Sequence, residues 1–484
     1  MESFGAAVHC AARSVIGVGP RSTDLLPLAR LGLLSNSLSF EGHPWSPALA
    51  DPPEVWTLEA GQARRRNRWR PADLAEVTRV MRNVASAAER AGRPVAVLAY
   101  SPSRQHEAAL ADCSPLVRLA ANSRDILDDL HDKILTRDAL RELGVPVPAS
   151  FAVHRSAPNT ADAIRAFGLP FVAQTRSGFG GRGTYLIRSA AELDAALADK
   201  PAVDQWLLSA YAGDLTVNFA AVVDGRGQVR VAPPAVQLGD MGAANAFGNY
   251  GGNDFAAARD LEPEILRLGE HWTARIGSWL AGKGFLGMFG VDYVIAAGTI
   301  SAIEVNPRMQ ASTALLGEIE LARGVLPTAV RHLLAFLPGP DPVGCADPVP
   351  GEVSGAQLAL REHGGAQIVV RAPRPGRYAV VDGDIVFLGP GDGLLDCGDG
   401  EIVVVGVPAP GTQLANGATL ARVITHDRLA DSTGKRLPAA RLLTDAVRAA
   451  FTFQPVRNQG DFQQWRSTPC SIDTVRPIGP RWLR

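Results

Sequence analysis

One stretch constrains this chain more than any other: Val291-Asp292-Tyr293-Val294-Ile295-Ala296-Ala297-Gly298-Thr299-Ile300-Ser301-Ala302-Ile303-Glu304-Val305-Asn306-Pro307-Arg308. Two β-rich runs flank a glycine turn, the pattern of an antiparallel hairpin. A turn centred on Gly298 leaves Asp292 and Glu304 equidistant from it and directly across from each other, with Cβ atoms roughly 4.5–5.5 Å apart. Asn306, two residues beyond Glu304, projects from the same face. Facing carboxylates repel unless something positive lies between them. Two carboxylates and an amide oxygen form a hard oxygen set that suits Mg²⁺ bridged to nucleotide phosphates, with a solvated hairpin face as the competing reading. Arg308 follows a proline that ends the strand and can turn toward the same place. There its permanent charge would stabilise negative charge on a transferring phosphoryl group or an acyl oxygen, although an ion pair with a neighbouring acid remains open.

With 484 residues the chain exceeds one ordinary core, so two or three packed units are expected. Hydrophobic residues at 46% and charged residues at 20% are the balance of a globular protein. No run of about 20 apolar residues occurs, so no membrane span is expected. The mildly apolar opening from Ala6 to Val18 lacks a basic leader and a cleavage site, and reads as a first strand, which makes a cytoplasmic protein the expectation. Five scattered cysteines, none at metal-ligand or redox spacing, are expected to be reduced. Basic and acidic residues number 48 and 49, so the overall field draws the chain neither to nucleic acid nor to an anionic membrane. Locally, Arg64, Arg65, Arg66, Arg68 and Arg70 cluster around Trp69; a solvated loop is expected there, with polyanion binding as the alternative. Lysine is scarce, with Lys133, Lys200, Lys283 and Lys435 alone, so each position deserves inspection.

A helical stretch from Leu74 to Arg90 followed by a strand-like run from Pro94 to Ala99 indicates α/β alternation. From Asp132, apolar residues at helical spacing are stopped by Gly144 and Pro146. Pro170 to Ile187 reads as two strands around a glycine-rich turn, Ala190 to Ala198 as a short helix, and Gln205 to Asp224 as strand material ending in a hairpin turn. Helices are expected from Leu315 to Gly324 and from Thr328 to Phe336. Proline and glycine from Leu337 to Pro350 mark a boundary. Short β-runs at Tyr378 to Val381, Ile385 to Leu388, Ile402 to Val407 and Thr419 to Ile424, then a helix from Ala440 to Ala450, suggest a small α+β unit before a proline-bearing tail that is expected to hug the surface or be disordered.

Gly178-Phe179-Gly180-Gly181-Arg182-Gly183 satisfies a G-x-G-x-x-G spacing, but it leads into the β-rich Thr184-Tyr185-Leu186-Ile187 and not into a helix. A dinucleotide fingerprint is therefore excluded, as is a P-loop, because no G-x-x-x-x-G-K-[ST] occurs. A flap whose backbone N–H groups fold over phosphates remains, against a glycine-rich hairpin without a ligand.

On these residues the chain resembles the ATP-grasp superfamily in its biotin-carboxylase-like branch, well over Asp132 to Thr313 and more loosely outside. The resemblance implies an ATP-grasp fold, mixed α/β and α+β, with an N-terminal Rossmann-like domain over 1–125, the nucleotide-binding and catalytic domain over 126–340, a C-terminal α+β domain over 345–452 and a tail over 453–484. It implies ATP and Mg²⁺ as cofactors. Lys133 would reach phosphate, and Gly178, Gly180, Gly181 and Gly183 would form the flap. Asp204, Gln205, Trp206 and Leu207 would be the hinge that holds adenine through backbone groups. Asp292, Glu304 and Asn306 would be metal ligands and Arg308 the catalytic arginine. Gln174 stands where most members carry a second nucleotide lysine; it can still hydrogen-bond the nucleotide but brings no charge. Gln310-Ala311-Ser312-Thr313 stands where biotin carboxylases carry Gln-Val-Glu-His, which disfavours carboxylation. Asn249 and Asn253, in a turn-rich segment, and Gln310 and Ser312 are candidate substrate contacts.

The pattern looks most like stand-alone bacterial amide and peptide ligases of specialised metabolism, which join a small-molecule or peptide acid to an amine through an acyl phosphate. A homodimer is compatible with it. A biotin-carboxylase-like carboxylase and a nucleotide-binding protein without turnover are the alternatives.

Overall fold

The computed structural model describes residues 14–47, 49–66, 69–158, 160–178, 181, 183–239, 247–337 and 355–456. Near its start, five parallel strands lie in the order Glu54–Thr57, Leu34–Glu41, Ser14–Arg21, Val95–Ala99, Val117–Ala120. Val95–Ala99 is apolar and buried at every position, as a strand covered on both faces must be. The helix Pro71–Arg90 opens on a proline at its first turn and packs Val77, Met81, Ala85 and Ala88 against one face of that sheet.

The second sheet is small and antiparallel, ordered Ser150–His154, Gln205–Ala210, Phe171–Thr175, Thr184–Ile187. One face packs Trp206, Phe171, Ala173 and Leu208 under the helices Thr160–Phe167 and Ala190–Asp199. The opposite face carries Gln174, Gln205 and Leu207 by alternation.

A third sheet of eleven strands is antiparallel throughout, with the hairpin of Gly287–Ala296 and Thr299–Asn306 at one edge. Its inner strands are Leu215–Val223, Ala235–Gly239 and Tyr250–Asp254. Tyr250–Asp254 pairs with Ala356–Arg361, so backbone hydrogen bonding runs on into the C-terminal third, through Thr419–Thr425 and Glu401–Val405. The helix Pro263–Gly282 lies against Leu215–Val223 and fits there because Gly269 leaves room for the Phe219 ring, 2.3 Å from where a Cβ would stand. Among the described residues no helix is long and apolar enough to cross a membrane.

Two expectations need correction, and the strand material expected over Gln205 to Asp224 is present but divided. Gln205 to Asp224 is two strands in two different sheets, Gln205–Ala210 and Leu215–Val223. They part near Gly213, whose φ of 126° disfavours other residues. The arginine cluster is solvated only in part: Arg65 is 1% exposed, pairs with Glu59 at 2.6 Å and donates to Thr419 O, while Arg66 and the exposed Arg70 both pair with Asp73. Burial of a charge requires such partners, and they come from elements the local run of arginines does not announce. Arg68 lies outside the described residues. The supposed tail begins as a strand, Thr452–Pro455, paired with Gln367–Arg371; residues 457–484, like the boundary at 338–354, lie outside the described set.

Candidate active site

The hairpin turns on Ala297 and Gly298, at φ 47° and 73°, with Ala296 opposite Thr299. Two left-handed residues make the tight two-residue loop that matches the twist of the flanking strands. The turn is therefore centred between 297 and 298, and a regular ladder from it would place Ile303 opposite Asp292. Instead the register shifts by one, Ile303 is left over, and Glu304 comes to face Asp292 with Asn306 facing Gly290. This is a β-bulge, and it re-aims the acid. The bulge is held from outside: Arg137, 3% exposed on the helix Lys133–Glu142, donates to Ile303 O at 3.0 Å, and Ala302 N donates to Pro146 O at 2.8 Å.

The acids converge. Asp292 accepts from Asn218 Nδ2 and Gln237 Nε2, both at 2.6 Å, and from Asn306 Nδ2 at 3.1 Å. Burial first, and the Glu304 charge second, push its carboxyl up to about 6. Glu304 Oε1 is met by Lys133 Nζ at 2.9 Å. Lys133 is placed by Asp132, which caps its helix by accepting from Ile134 N and Leu135 N, and by a bond from Lys133 N to Arg176 O at 2.8 Å. Arg308 donates to Asn306 Oδ1 at 3.2 Å and lies 5.9 Å from the Tyr100 ring centroid. A divalent cation fits this donor set: two carboxylates, one already reluctant to ionise beside the other, and an amide whose oxygen reaches Asp292 once it is turned away from Arg308. Among the described residues there is no cluster of three or more His, Cys, Asp or Glu side chains, so the amide is needed to complete the set.

Across the cleft, Gly181 and Gly183 both have φ of 77°. A Cβ on Gly181 would stand 1.8 Å from Gly248 O and 2.8 Å from Asn249 N, so the flap rests on the segment that carries Asn249 and only glycine allows it. Gly178 lines a small cavity with Lys133, Glu304 and Asn306, whereas Gly180 lies outside the described residues. Gln174 faces Leu207 and donates to Thr184 Oγ1 at 3.3 Å. Trp206 points into the helix-covered core, which leaves only its backbone for a ligand on the cleft face; Asp204 and Gln205 are exposed.

Asn253 is buried in the large sheet, where its amide oxygen accepts the Tyr250 hydroxyl. Gln310 lies over Gly290, beside Asn306, and Ser312 is buried at the start of the helix Thr313–Ala322. Four further residues went unnoticed in the sequence. Asn218 and Gln237 hold Asp292, Arg137 holds the bulge, and Arg176 joins Asp132 to Gln205 Oε1, the latter at 2.8 Å. Asn218 alone left a signal, a lone amide in the buried apolar run Val217 to Val223.

Residues 130–312 match the family model described as ATP-grasp domain. The arginine-specific carbamoyl phosphate synthase large chain of Geobacillus stearothermophilus is 27% identical over 257 residues, 47% of this chain and 24% of that protein. The corresponding large chain of Pyrobaculum aerophilum is 27% identical over 269 residues, 52% and 24%. The match thus spans about a quarter of the length of these curated relatives. Among solved structures, biotin carboxylase from Campylobacter jejuni superposes with a TM-score of 0.59 at 12% identity, covering 94% of this chain and 95% of that one. The biotin carboxylase domain of the Hydrogenobacter thermophilus 2-oxoglutarate carboxylase gives 0.58 at 13%, covering 92% and 91%. Residues 130–312 therefore match an ATP-grasp domain, and the chain shares the ATP-grasp fold seen in biotin carboxylases.

Proposed function

We propose that this chain is an ATP-dependent ligase that phosphorylates a carboxylate and transfers the acyl group to an amine, releasing ADP and phosphate. The observation that carries the reading is the bulged hairpin, which sets Asp292 against Glu304 with Asn306 and Arg308 on the same side. Asp292, Glu304 and Asn306 would hold Mg²⁺, which when bound would neutralise phosphate charge. Lys133, already aimed at Glu304, exchanges that partner for a phosphate oxygen. The flap glycines offer backbone N–H groups to the same phosphates, and the strand Gln205–Ala210 offers its backbone edge to adenine. A substrate carboxylate oxygen attacks the γ-phosphorus in line as the bond to the β-phosphate oxygen breaks. Most of the work is positioning and charge. The amine then adds to the acyl carbon, phosphate leaves, and Arg308 stabilises the oxyanion of that step. The amine's surplus proton departs to solvent.

Phosphate release from ATP that requires both an acid and an amine, lost in Glu304→Ala with the fold retained, tests the proposal. Release with an acid alone, or with no dependence on either, contradicts it. Carboxylation is the second reading, favoured by the likeness in fold to biotin carboxylases. Against it, Ser312 brings no carboxylate to the loop after Arg308; bicarbonate-dependent turnover without an amine would establish it.

A further inference from the structure

The N-terminal sheet reverses its strand order between Ser14–Arg21 and Val95–Ala99, so the carboxyl ends of these two strands flank the crevice where open α/β sheets take ligands. Arg21 ends the first strand and Tyr100 follows the second. The Tyr100 ring lies 6.0 Å from the Arg21 guanidinium and 5.9 Å from that of Arg308, so the crevice opens onto the arginine of the acidic hairpin. A third guanidinium enters from the large sheet. Arg422, on Thr419–Thr425, has Nη1 3.7 Å from Asp24 Oδ1 and 3.4 Å from Ala311 O, next to Gln310.

Arg422 is less directly paired than Arg21. Asp24 is the one carboxylate, among the described residues, that pairs with Arg422, and it is already engaged by Arg21 at 2.7 Å. Arg65 is matched by Glu59, and Glu41, across from Arg21, is buried within reach of the Arg65, Arg21 and Arg422 charges without making a direct ion pair among the described residues; burial raises its pKa against them. Arg422 is 4% exposed, yet its Nε has no acceptor among the described residues. Gln310, 7% exposed, has neither amide atom partnered there, and Gly290 leaves it space, since a Cβ would stand 1.2 Å from its Nε2. Buried polar groups left without partners are costly, and a ligand that completes them recovers that cost.

We propose that Arg422, with Arg21 and Gln310, forms a carboxylate subsite beside Arg308, so that the reacting molecules include a carboxylate other than the one activated. This rests on the ligase reading above. A guanidinium fork matches a carboxylate in shape and charge. The extra carboxylate belongs either to the donor, as in a short dicarboxylic acid, or to the amine, as in an α-amino acid. The chemistry recognised is the same.

Calorimetric binding to the full chain, with succinate against butyrate and alanine against alaninamide, tests the subsite without requiring turnover; phosphate release is measured on the same compounds. The expected result is at least tenfold tighter binding of the extra carboxylate in one of the two pairs, the pair identifying its source. Arg422→Met should reduce that preference to near one, and Arg422→Lys should restore part of it. Arg422→Met leaves the Arg21–Asp24 pair in place and is checked by circular dichroism. Should it fail to fold, Gln310→Met replaces it and should lower the preference at least threefold. Equal or undetectable binding within both pairs, or a preference that survives the substitution used, overturns the subsite. Acid- and amine-dependent phosphate release with no such preference would overturn the subsite and leave the ligase intact. A preference without any phosphate release would overturn the ligase and leave the subsite.

Discussion

Asp292→Asn should make the metal-free protein more stable while removing its response to Mg²⁺. Burial and Glu304 raise the Asp292 carboxyl from 3.8 to about 6, so the folded state holds this proton more tightly than the unfolded chain does. Between those values unfolding releases a proton, and stability falls as pH rises. Above pH 6 the full penalty is present, at most about 3 kcal/mol for roughly two units, and less to the extent that water reaches the recess. Asparagine carries no charge, but its amide would confront Asn306 Nδ2, now 3.1 Å from Asp292 Oδ2. That lost bond returns about 1–2 kcal/mol. The net expectation is a gain of about 1 kcal/mol at pH 8 in EDTA, or ~1 °C in melting temperature for a chain of this length, fading toward pH 4. Thermal melts at both pH values, with EDTA and with Mg²⁺ plus ADP, measure it. An Asp292→Asn protein less stable than the parent at pH 8 in EDTA, or an advantage unchanged at pH 4, would refute the reasoning.

Arg137→Met should reduce kcat for phosphate release by at least about tenfold through loss of the Ile303 bulge contact, with stability falling only by the ~1–3 kcal/mol of an unsatisfied carbonyl; unchanged kcat would show that the bulge does not aim Glu304. Arg176→Ala, which frees Asp132 and Gln205, should raise the KM for ATP roughly tenfold, the worth of one charge-assisted hydrogen bond, with little change in kcat; an unaltered KM removes Arg176 from the nucleotide site. Glu320 is buried, accepts from Thr328 N at 2.7 Å, and is pushed up to about 7 by desolvation. Its folded pKa lies above the ordinary 4.5, so its ionisation lowers stability as pH rises from about 4.5 to 7, and Glu320→Gln should flatten that slope in urea titrations.

Much of the fold was legible wherever it is encoded locally. The helix expected over Leu74 to Arg90 runs Pro71–Arg90, and that expected after Asp132 runs Lys133–Glu142. Asp292 and Glu304 do face each other, as the sequence suggested, but for a different reason: the turn lies half a residue early and the bulge makes up the difference. Nothing in the hairpin announces that bulge, because what holds it is Arg137, far away in sequence. Arg65 misled for the same cause, since its partners Glu59, Gly406 and Thr419 come from different parts of the chain. The split at Gly213 depends on which sheet each half joins. Tertiary partners therefore decided what periodicity and spacing could not.

The central claim is that this hairpin serves attack of an organic carboxylate on the γ-phosphorus of ATP. Mass analysis of phosphate released from a turning-over mixture of ¹⁸O-carboxylate acid, unlabelled ATP and amine tests it most directly. One ¹⁸O atom per phosphate is the predicted result. Phosphate that forms without label, or that gains ¹⁸O only when labelled bicarbonate replaces the labelled acid, would contradict the account.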